Sequence, residues 1–227
     1  MPKNNIERVS TGLTGLDKLI EGGVVKGSAT MILGDAGTGK TIFCTQFIME
    51  GLKNGENCMF ITFEETPQDI MDDAAVFGWD LTDYIKKRKL ILEYRDPFQT
   101  TDITTLMQEE IVAYKVTRVA IDSTSVLGLY FKDEHEVRKQ LYKLIQALKS
   151  TGVTAILTGE MPEDVKASRF GVEEYVADGV IRLFYIGAGD GAYRQLEVKK
   201  MRRTNQKKGA FPMEITDKGI VVKPSAL

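Results

Sequence analysis

The sequence predicts an α/β fold, with a mainly parallel twisted sheet flanked by helices and with antiparallel strands at its C-terminal side. Strand-like and helix-like segments alternate over residues 29–158, and a glycine-rich loop joins the first long strand to the first long helix. The alternation stops after Gly159, where the remaining apolar segments are typical of hairpins. We expect residues 1–227 to form one domain, because no repeat, low-complexity segment or long linker interrupts them.

The spacing of apolar residues defines each element. Unbroken apolar runs such as Ala29–Leu33 are typical of strands that are buried on both faces. Apolar residues at intervals of three and four, as at Leu141, Leu144 and Leu148, predict helices with one buried side. The predicted strands cover residues 29–33, 58–63, 90–94, 119–123 and 153–158, and the predicted helices cover 40–53, 66–77, 102–114 and 134–149.

Capping residues mark where the helices begin and end. Thr66 can cap the helix that follows it, Pro67 suits a first turn, and Asp69 interacts favourably with the helix dipole. Gly78 and Gly152 predict helix ends.

The C-terminal third has a different pattern. Residues 172–177 predict a short helical turn, and residues 180–186 and 193–201 predict antiparallel strands joined by a hairpin connection over 187–192. Residues 211–215 and 220–222 predict a last pair of strands around a turn at Asp217-Lys218-Gly219.

Composition excludes several classes of protein. The net charge of −2 gives no overall basic field that would attract nucleic acid or an acidic membrane. Cys44 and Cys58 are expected to be buried small hydrophobes, and His135 is expected to lie at a solvated helix start, which disfavours a zinc site. Without an apolar run long enough to span a bilayer or an N-terminal signal core, the chain is expected to be cytoplasmic.

Residues 34–41 (GDAGTGKT) have the spacing of a phosphate-binding loop between a predicted strand and a predicted helix. Backbone N–H groups of such a loop point at an anion, and the helix N-terminus adds a partial positive charge. Lys40 is expected to neutralise the β- and γ-phosphates, and Thr41 to place its hydroxyl on Mg²⁺. The residues expected to contact nucleotide through this loop are Asp35, Ala36, Gly37, Thr38, Gly39, Lys40 and Thr41.

Acidic residues lie at the ends of two predicted strands, where ligands bind in open α/β sheets. Asp122 follows an apolar run, and its carboxylate is expected to hold Mg²⁺ through water, beside the Thr41 hydroxyl. Glu64 and Glu65 follow the strand after the loop helix, where a carboxylate can activate the attacking water. We expect repulsion between the two glutamates to raise one pKa. The alternative is that they only stabilise the start of the next helix.

A basic cluster ends the late strand, and it allows three interpretations. It could be a solvated face, or it could contact a nucleic-acid backbone. It could also place Lys200 and Arg202, two residues apart on one strand face, against the γ-phosphate of a neighbouring subunit. The cluster consists of Arg194, Lys199, Lys200, Arg202, Arg203, Lys207 and Lys208.

These segments together resemble the KaiC-like family within the RecA superfamily of ATPases. The resemblance extends in order over nearly the whole chain and includes residues 10–17 (STGLTGLD), 22–23 (GG), 34–41, 62–65 (TFEE), 77–79 (FGW), 119–123 (VAIDS), 171–178 (GVEEYVAD), 200–204 (KMRRT) and 215–220 (ITDKGI). The loop alone is common to many families, but the set is characteristic of this one.

The resemblance implies a ring, usually a hexamer, with ATP at each subunit interface. It implies that Glu64 and Glu65 are catalytic and that Lys200, Met201, Arg202 and Thr204 approach the nucleotide across the interface. It also implies that Thr216 and Asp217 approach the nucleotide from the neighbouring subunit.

The sequence departs from the family pattern at two places. Arg203 stands where Gly is common, so the strand is expected to kink differently there. In clock members of this family, one of the two halves of the chain autophosphorylates on an adjacent Ser-Thr pair. Residues 172–175 lack such a pair. This favours hydrolysis over autokinase activity, for which Ser168 and Tyr175 remain the possible acceptors.

The predicted function is therefore a Mg²⁺-dependent, slow ATPase that acts as a homo-oligomeric ring, expected to be a hexamer. Nucleotide state is expected to control ring assembly or the binding of a signalling partner. One alternative is a nucleotide-gated scaffold that barely hydrolyses ATP. Another is a recombinase-paralog accessory protein that contacts DNA, which the basic cluster permits and the acidic pI weakens.

Overall fold

One nine-stranded sheet organises the chain. The computed structural model describes residues 6–96, 103–131, 133–161, 173–187 and 192–224. The large sheet has the strand order β11-β10-β9-β8-β3-β7-β6-β4-β5. Its strands are β3 (Ala29–Gly34), β4 (Cys58–Thr62), β5 (Leu90–Tyr94), β6 (Arg118–Asp122), β7 (Thr154–Glu160), β8 (Gly179–Ile186), β9 (Tyr193–Met201), β10 (Ala210–Thr216) and β11 (Gly219–Val222).

Strands β3 to β8 pair in parallel, and β9, β10 and β11 extend the sheet with antiparallel pairs. The predicted helices are α2 (Lys40–Lys53), α3 (Pro67–Val76), α5 (Ile103–Ala113) and α7 (Glu134–Ser150). Thr66 caps α3, as the sequence predicts, and it also forms a capping box with Asp69. The short turn α8 (Glu173–Val176) also follows the prediction.

Several short elements have no clear signal in the sequence. They are a small antiparallel pair of β1 (Arg8–Val9) and β2 (Val24–Val25), the helices α1 (Leu16–Leu19), α4 (Thr82–Lys86) and α6 (Leu127–Tyr130), and a 3₁₀ turn at Thr124–Val126. Each is too short to show a full hydrophobic period. Most of the predicted 187–192 connection lies outside the described residues, as does Asp102 at the predicted start of α5.

Two cores cover the two faces of the sheet. Along β4, Cys58 and Phe60 pack with α2 and α3 on one face, whereas Met59 and Ile61 pack with α5 and α7 on the other. This alternation explains the unbroken apolar runs, because a strand that is covered on both faces has no polar side.

A buried arginine fixes the amino end of β6. Arg118 is 2% exposed and forms a two-pronged ion pair with Glu56, at 2.7 and 2.9 Å. It also donates to the carbonyls of Ser10 and Phe47, and its guanidinium lies 4.9 Å from the centre of the Phe47 ring. Partial burial alone would raise the pKa of Glu56, but hydrogen bonds from Arg118 and Thr117 lower it below 4.5.

We predict that Glu56→Ala destabilises the fold by about 2–3 kcal/mol, because it leaves the Arg118 guanidinium without its carboxylate. The loss of folding stability should be complete at pH values above 4.5, the ordinary pKa of a glutamate. It should shrink as pH falls below that value, because the pKa of Glu56 is lower in the folded state. Urea denaturation at several pH values measures this. Glu7→Ala, which removes an exposed ion pair to Lys26, is the control and should cost under about 1 kcal/mol. Equal effects of the two variants would contradict the prediction.

Candidate active site

The glycine-rich loop connects β3 to α2 at the carboxyl edge of the parallel sheet, as the sequence predicts. Within the loop, the carbonyl of Asp35 accepts from the Thr38 hydroxyl at 2.8 Å, from the Thr38 N–H at 3.4 Å and from Lys40 Nζ at 2.9 Å. Lys40 Nζ also donates to the carbonyl of Gly34 at 3.0 Å. The loop carbonyls therefore accept from the same Lys40 and Thr38 donors that a phosphate group would need.

The loop helix and the central strand meet at Thr41 and Asp122. The Thr41 hydroxyl donates to Asp122 Oδ2 at 2.6 Å, and the Thr158 hydroxyl donates to the other carboxylate oxygen. Asp122 is 7% exposed, so its carboxylate is held by hydroxyl groups that fix its direction. The sequence places these two residues in separate motifs, and the parallel sheet brings them into contact.

Glu64 lies next to this pair, one strand away. Ser123 follows Asp122 and donates its hydroxyl to Glu64 Oε1 at 3.0 Å. Thr62 holds the turn by accepting from the N–H groups of Glu64 and Glu65 and by donating to the carbonyl of Glu65. The structure thus places Glu64 beside the Thr41–Asp122 pair, with Glu65 exposed at the same edge.

The pKa values of both glutamates are raised, but mutual repulsion is not the main reason. Partial desolvation of the carboxyl groups is the largest cause for both, followed for Glu65 by the charge of Asp122. For Glu64, the Ser123 hydrogen bond opposes the rise, and Asp122 and Glu160 add to it. Glu64 contributes least to the shift of Glu65. The expectation that repulsion between neighbours raises only one pKa is therefore wrong, because crowding at the sheet edge acts on both.

Lys200 and Arg202 lie at the opposite edge of the sheet. Lys200 is level with Val180 on β8, near the amino ends of the parallel strands, whereas the loop follows Gly34, which is level with Leu183. About four residues of β9, or roughly 13 Å, separate Lys200 from Leu196, which pairs with Leu183 at the loop edge. This exceeds what a lysine or arginine side chain can span, so neither cation reaches its own chain's loop.

The expectation that Lys200 and Arg202 share a strand face is wrong, because β9 ends at Met201. Residues 177–178 bring the two cations together instead. Lys200 Nζ donates to the carbonyl of Ala177 at 2.7 Å, and Arg202 forms an ion pair with Asp178 at 3.6 Å. Desolvation, and then the charge of Arg202, lower the pKa of Lys200.

Asp178 anchors this corner. It is 5% exposed, pairs with Lys149 at 2.8 Å and accepts from the N–H of Ala29 at 3.1 Å. The N–H of Arg202 in turn donates to the carbonyl of Asp178 at 2.9 Å.

The remaining residues of the basic segment have varied surroundings. The Met201 side chain is 6% exposed within the core, so only its backbone is available to a ligand. Thr204 accepts from Arg8 at 2.9 Å. Arg203 has φ +58°, in the left-handed region. A glycine is favoured in that region, which gives a physical reason for the Gly that the resemblance leads us to expect there.

Thr216 and Asp217 lie beside the loop of their own chain. Ile215 packs so closely on Gly39 that a Cβ built on that glycine would lie 3.2 Å from Ile215 Cδ1. Gln46 on α2 also accepts from the N–H of Ile220 at 2.7 Å. The segment that the resemblance assigns to the neighbour therefore lies at the loop edge of its own chain, because β10 runs parallel to β8 and ends there.

Sequence reasoning missed one pair of residues at the loop. The Tyr185 hydroxyl donates to the carbonyl of Gly37 at 2.9 Å, and Arg194 donates to the same oxygen at 3.2 Å. The sequence groups Arg194 with the basic cluster, but the antiparallel direction of β9 places it at the edge opposite to Lys200. The available signal was the position of Arg194 at the start of the second hairpin strand.

Other candidate groups are remote from this site or buried. Cys44 and Cys58 are buried and free, and burial raises the pKa of both thiols, that of Cys58 to about 12. His135 is exposed at the start of α7, as predicted. Tyr175 is 68% exposed on α8, and Ser168 lies outside the described residues.

We predict that Asp122→Asn lowers the pKa of both Glu64 and Glu65, because it removes a negative charge that raises them. Carboxyl ¹³C NMR titration, assigned with Glu64→Gln and Glu65→Gln, measures both. Asp69 is the internal reference, since its low pKa comes from hydrogen bonds with Thr66 and should not move. Unchanged glutamate pKa values in Asp122→Asn would refute the electrostatic account of the site.

No helix among the described residues combines the length and apolar character that crossing a bilayer requires.

Comparison with known proteins agrees with this arrangement. The family model "ATPase: KaiC" matches residues 9–226. The chain is 36% identical over 234 residues to circadian clock protein KaiC3 of Synechocystis sp., covering 97% of this chain and 46% of the relative. It is also 36% identical over 240 residues to circadian clock oscillator protein KaiC of Synechococcus elongatus, covering 98% and 46%. The chain therefore spans about half the length of these relatives.

A solved structure gives a match over its full length. The crystal structure of a KaiC-like protein from the hyperthermophilic archaeon Pyrococcus horikoshii OT3 superposes with a TM-score of 0.88 at 37% identity. The match covers 96% of this chain and 100% of that one. The predicted α/β class, with a mainly parallel RecA-type sheet and C-terminal antiparallel strands, is confirmed. The chain belongs to the KaiC family of ATPases.

Proposed function

We propose that the chain is a Mg²⁺-dependent ATPase that hydrolyses ATP slowly and acts as a homo-oligomeric, hexameric ring with nucleotide at the subunit interfaces. The observation that carries this proposal is the division of the site between two edges of one sheet. The loop, Thr41, Asp122 and Glu64 lie at the carboxyl edge, and Lys200 and Arg202 lie at the amino edge. A nucleotide on the loop can meet these cations only if a second copy supplies them.

The carboxyl edge has the groups that hydrolysis requires. Lys40 and the loop N–H groups would bind the phosphates, and Glu64 or Glu65 would accept a proton from water as its oxygen bonds to the γ-phosphorus. The bond from that phosphorus to the β–γ bridging oxygen breaks, and ADP and phosphate leave. The raised pKa values of both glutamates increase their basicity.

The donor set at the loop fits Mg²⁺. Thr41 Oγ1 and Asp122 Oδ2 are hard oxygen ligands held 2.6 Å apart beside the phosphate loop, and Mg²⁺ takes one or two such ligands together with phosphate oxygens and water. When bound, the metal ion would offset the charge of the phosphates. Thr41 and Asp122 would hold it, and Thr158 would keep the carboxylate oriented.

The remaining contacts divide between the two copies. Thr216 and Asp217 would meet the nucleotide from the loop's own chain. Lys200, the Met201 backbone, Arg202 and Thr204 would meet it from the neighbour. Because Arg202 is already paired with Asp178, docking on the neighbour's γ-phosphate would exchange one anion for another. Nucleotide state would then control ring assembly or the binding of a signalling partner.

We predict that changing both Glu64→Gln and Glu65→Gln lowers kcat for phosphate release by about 10²-fold or more, with little change in KM, because the base is removed and binding is kept. The wild-type rate should fall toward acid pH from a higher pH than an ordinary glutamate would give, since both pKa values are raised. Asp72→Asn, which changes an exposed carboxylate on α3, is the matched control. ATP binding without turnover by the wild type would instead favour the scaffold alternative.

We predict that two inactive variants restore activity when mixed. Lys40→Ala disables the loop and Arg202→Ala disables the cation supplied to the neighbour, so a random mixed ring has about a quarter of its interfaces intact. Phosphate release is measured together with light scattering, with and without Mg-ATP. Lys207→Ala, an exposed cation beyond the strand, should behave as wild type. A wild-type protein that remains monomeric at saturating nucleotide, yet hydrolyses it at the full rate, would refute the shared site.

A further inference from the structure

The carbonyl of Gly37, at the apex of the phosphate loop, is held from outside the loop. Tyr185 Oη donates to it at 2.9 Å, and Arg194 donates through Nη2 at 3.2 Å and Nε at 3.4 Å. We call Tyr185 and Arg194 the Gly37 clamp. A carbonyl oxygen has two lone pairs, so these two side chains satisfy it.

The sheet register builds the clamp. Tyr185 and Arg194 are direct partners in the β8–β9 pair, so their side chains lie on one face, and the guanidinium stacks 5.0 Å from the centre of the tyrosine ring. Gly34, the last residue of β3, is level with Leu183 on β8. Tyr185 is therefore two residues beyond that level, above the point where the loop begins.

The clamp acts on the most pliable part of the loop. Gly37 is exposed and has φ +74°, a conformation that a glycine can easily leave. The carbonyl of Gly37 and the N–H of Thr38 belong to one planar trans peptide, so they point in opposite directions. Holding the carbonyl against the hairpin keeps the Thr38 N–H on the inner side of the loop.

The Thr38 N–H is available on that side. Its bond to the carbonyl of Asp35 is 3.4 Å long, beyond the usual range for an N–H···O bond, so a phosphate oxygen can replace it at little cost. The hydrogen bonds of the clamp are on the opposite side of the same peptide, at the Gly37 carbonyl. They can therefore persist while the N–H group on the inner side exchanges its acceptor, from the Asp35 carbonyl to a phosphate oxygen.

We propose that Tyr185 and Arg194 are positioning residues that pre-organise the phosphate loop for the triphosphate, by fixing the direction of the Gly37–Thr38 peptide. They raise the affinity for nucleotide without taking part in the chemical step. This inference rests on the proposed function, because it assigns two further residues to the same nucleotide site.

The test uses the full chain with Tyr185→Phe, Arg194→Met and the double variant, since these keep the ring and the apolar stem but remove the donors. Each single variant should weaken Mg-ATP binding about fivefold, from the loss of one hydrogen bond, and the double variant more. KM should rise in parallel while kcat stays within about twofold of wild type. Arg194→Lys should recover part of the loss. Tyr193→Phe, an exposed tyrosine adjoining Arg194, is the matched control and should bind as wild type.

A second readout does not depend on turnover. Amide exchange at Thr38, followed by NMR without nucleotide, should be faster in the double variant, because the peptide is free to rotate.

Three outcomes would overturn the inference: a double variant that binds Mg-ATP as tightly as the wild type, one that binds it more tightly, or one with a lower kcat at constant KM. If the wild type bound no ATP, the proposed function would fail. Unchanged Thr38 exchange in the double variant would show separately that the clamp does not order the loop.

Discussion

The parallel pairing of β3, β7, β6 and β4 is the constraint on which the rest of the site depends. Parallel strands end at the same edge, so the phosphate loop after β3, Asp122 at the end of β6 and Glu64 after β4 must converge there. The hydrogen bond from Thr41 to Asp122 closes this arrangement, because it joins the loop helix to the central strand. Apolar packing on both faces of the sheet makes the register costly to change, since a slip of one residue would exchange the contents of the two cores.

Strand β9 runs the other way, and its direction gives the chain a second functional edge. One end of the strand presents Arg194 to the chain's own loop, and the other end leads to Lys200 and Arg202. A single strand of nine residues therefore contacts the site of its own chain and, in the proposed ring, the site of the neighbour. A shift of this strand would move Arg194 and Lys200 together. The strand is therefore a geometric link between adjacent sites of the proposed ring.

Acceptor groups at residues 177–178 hold the basic side chains that follow β9 in place. Asp178 is buried and balances Lys149 and Arg202, while the carbonyl of Ala177 holds Lys200. Without these acceptors, several cations would repel one another at the end of β9. Desolvation, and then the charge of Arg202, lower the pKa of Lys200. The left-handed conformation at Arg203 turns the chain away from the strand at this point, at a cost of about 1 kcal/mol for a residue other than glycine.

The sequence by itself determined the elements and the local chemistry. Apolar runs, the GDAGTGKT spacing and the cap at Thr66 act over a few residues, so the long strands and helices and the phosphate loop were predictable from them. Three features were decided only by the tertiary structure. They are the contact between Thr41 and Asp122, the separation of Arg194 from Lys200, and the packing of Ile215, the residue before Thr216, on the loop residue Gly39. Each depends on strand order and direction, and these are set by long-range pairing and burial that no local pattern encodes.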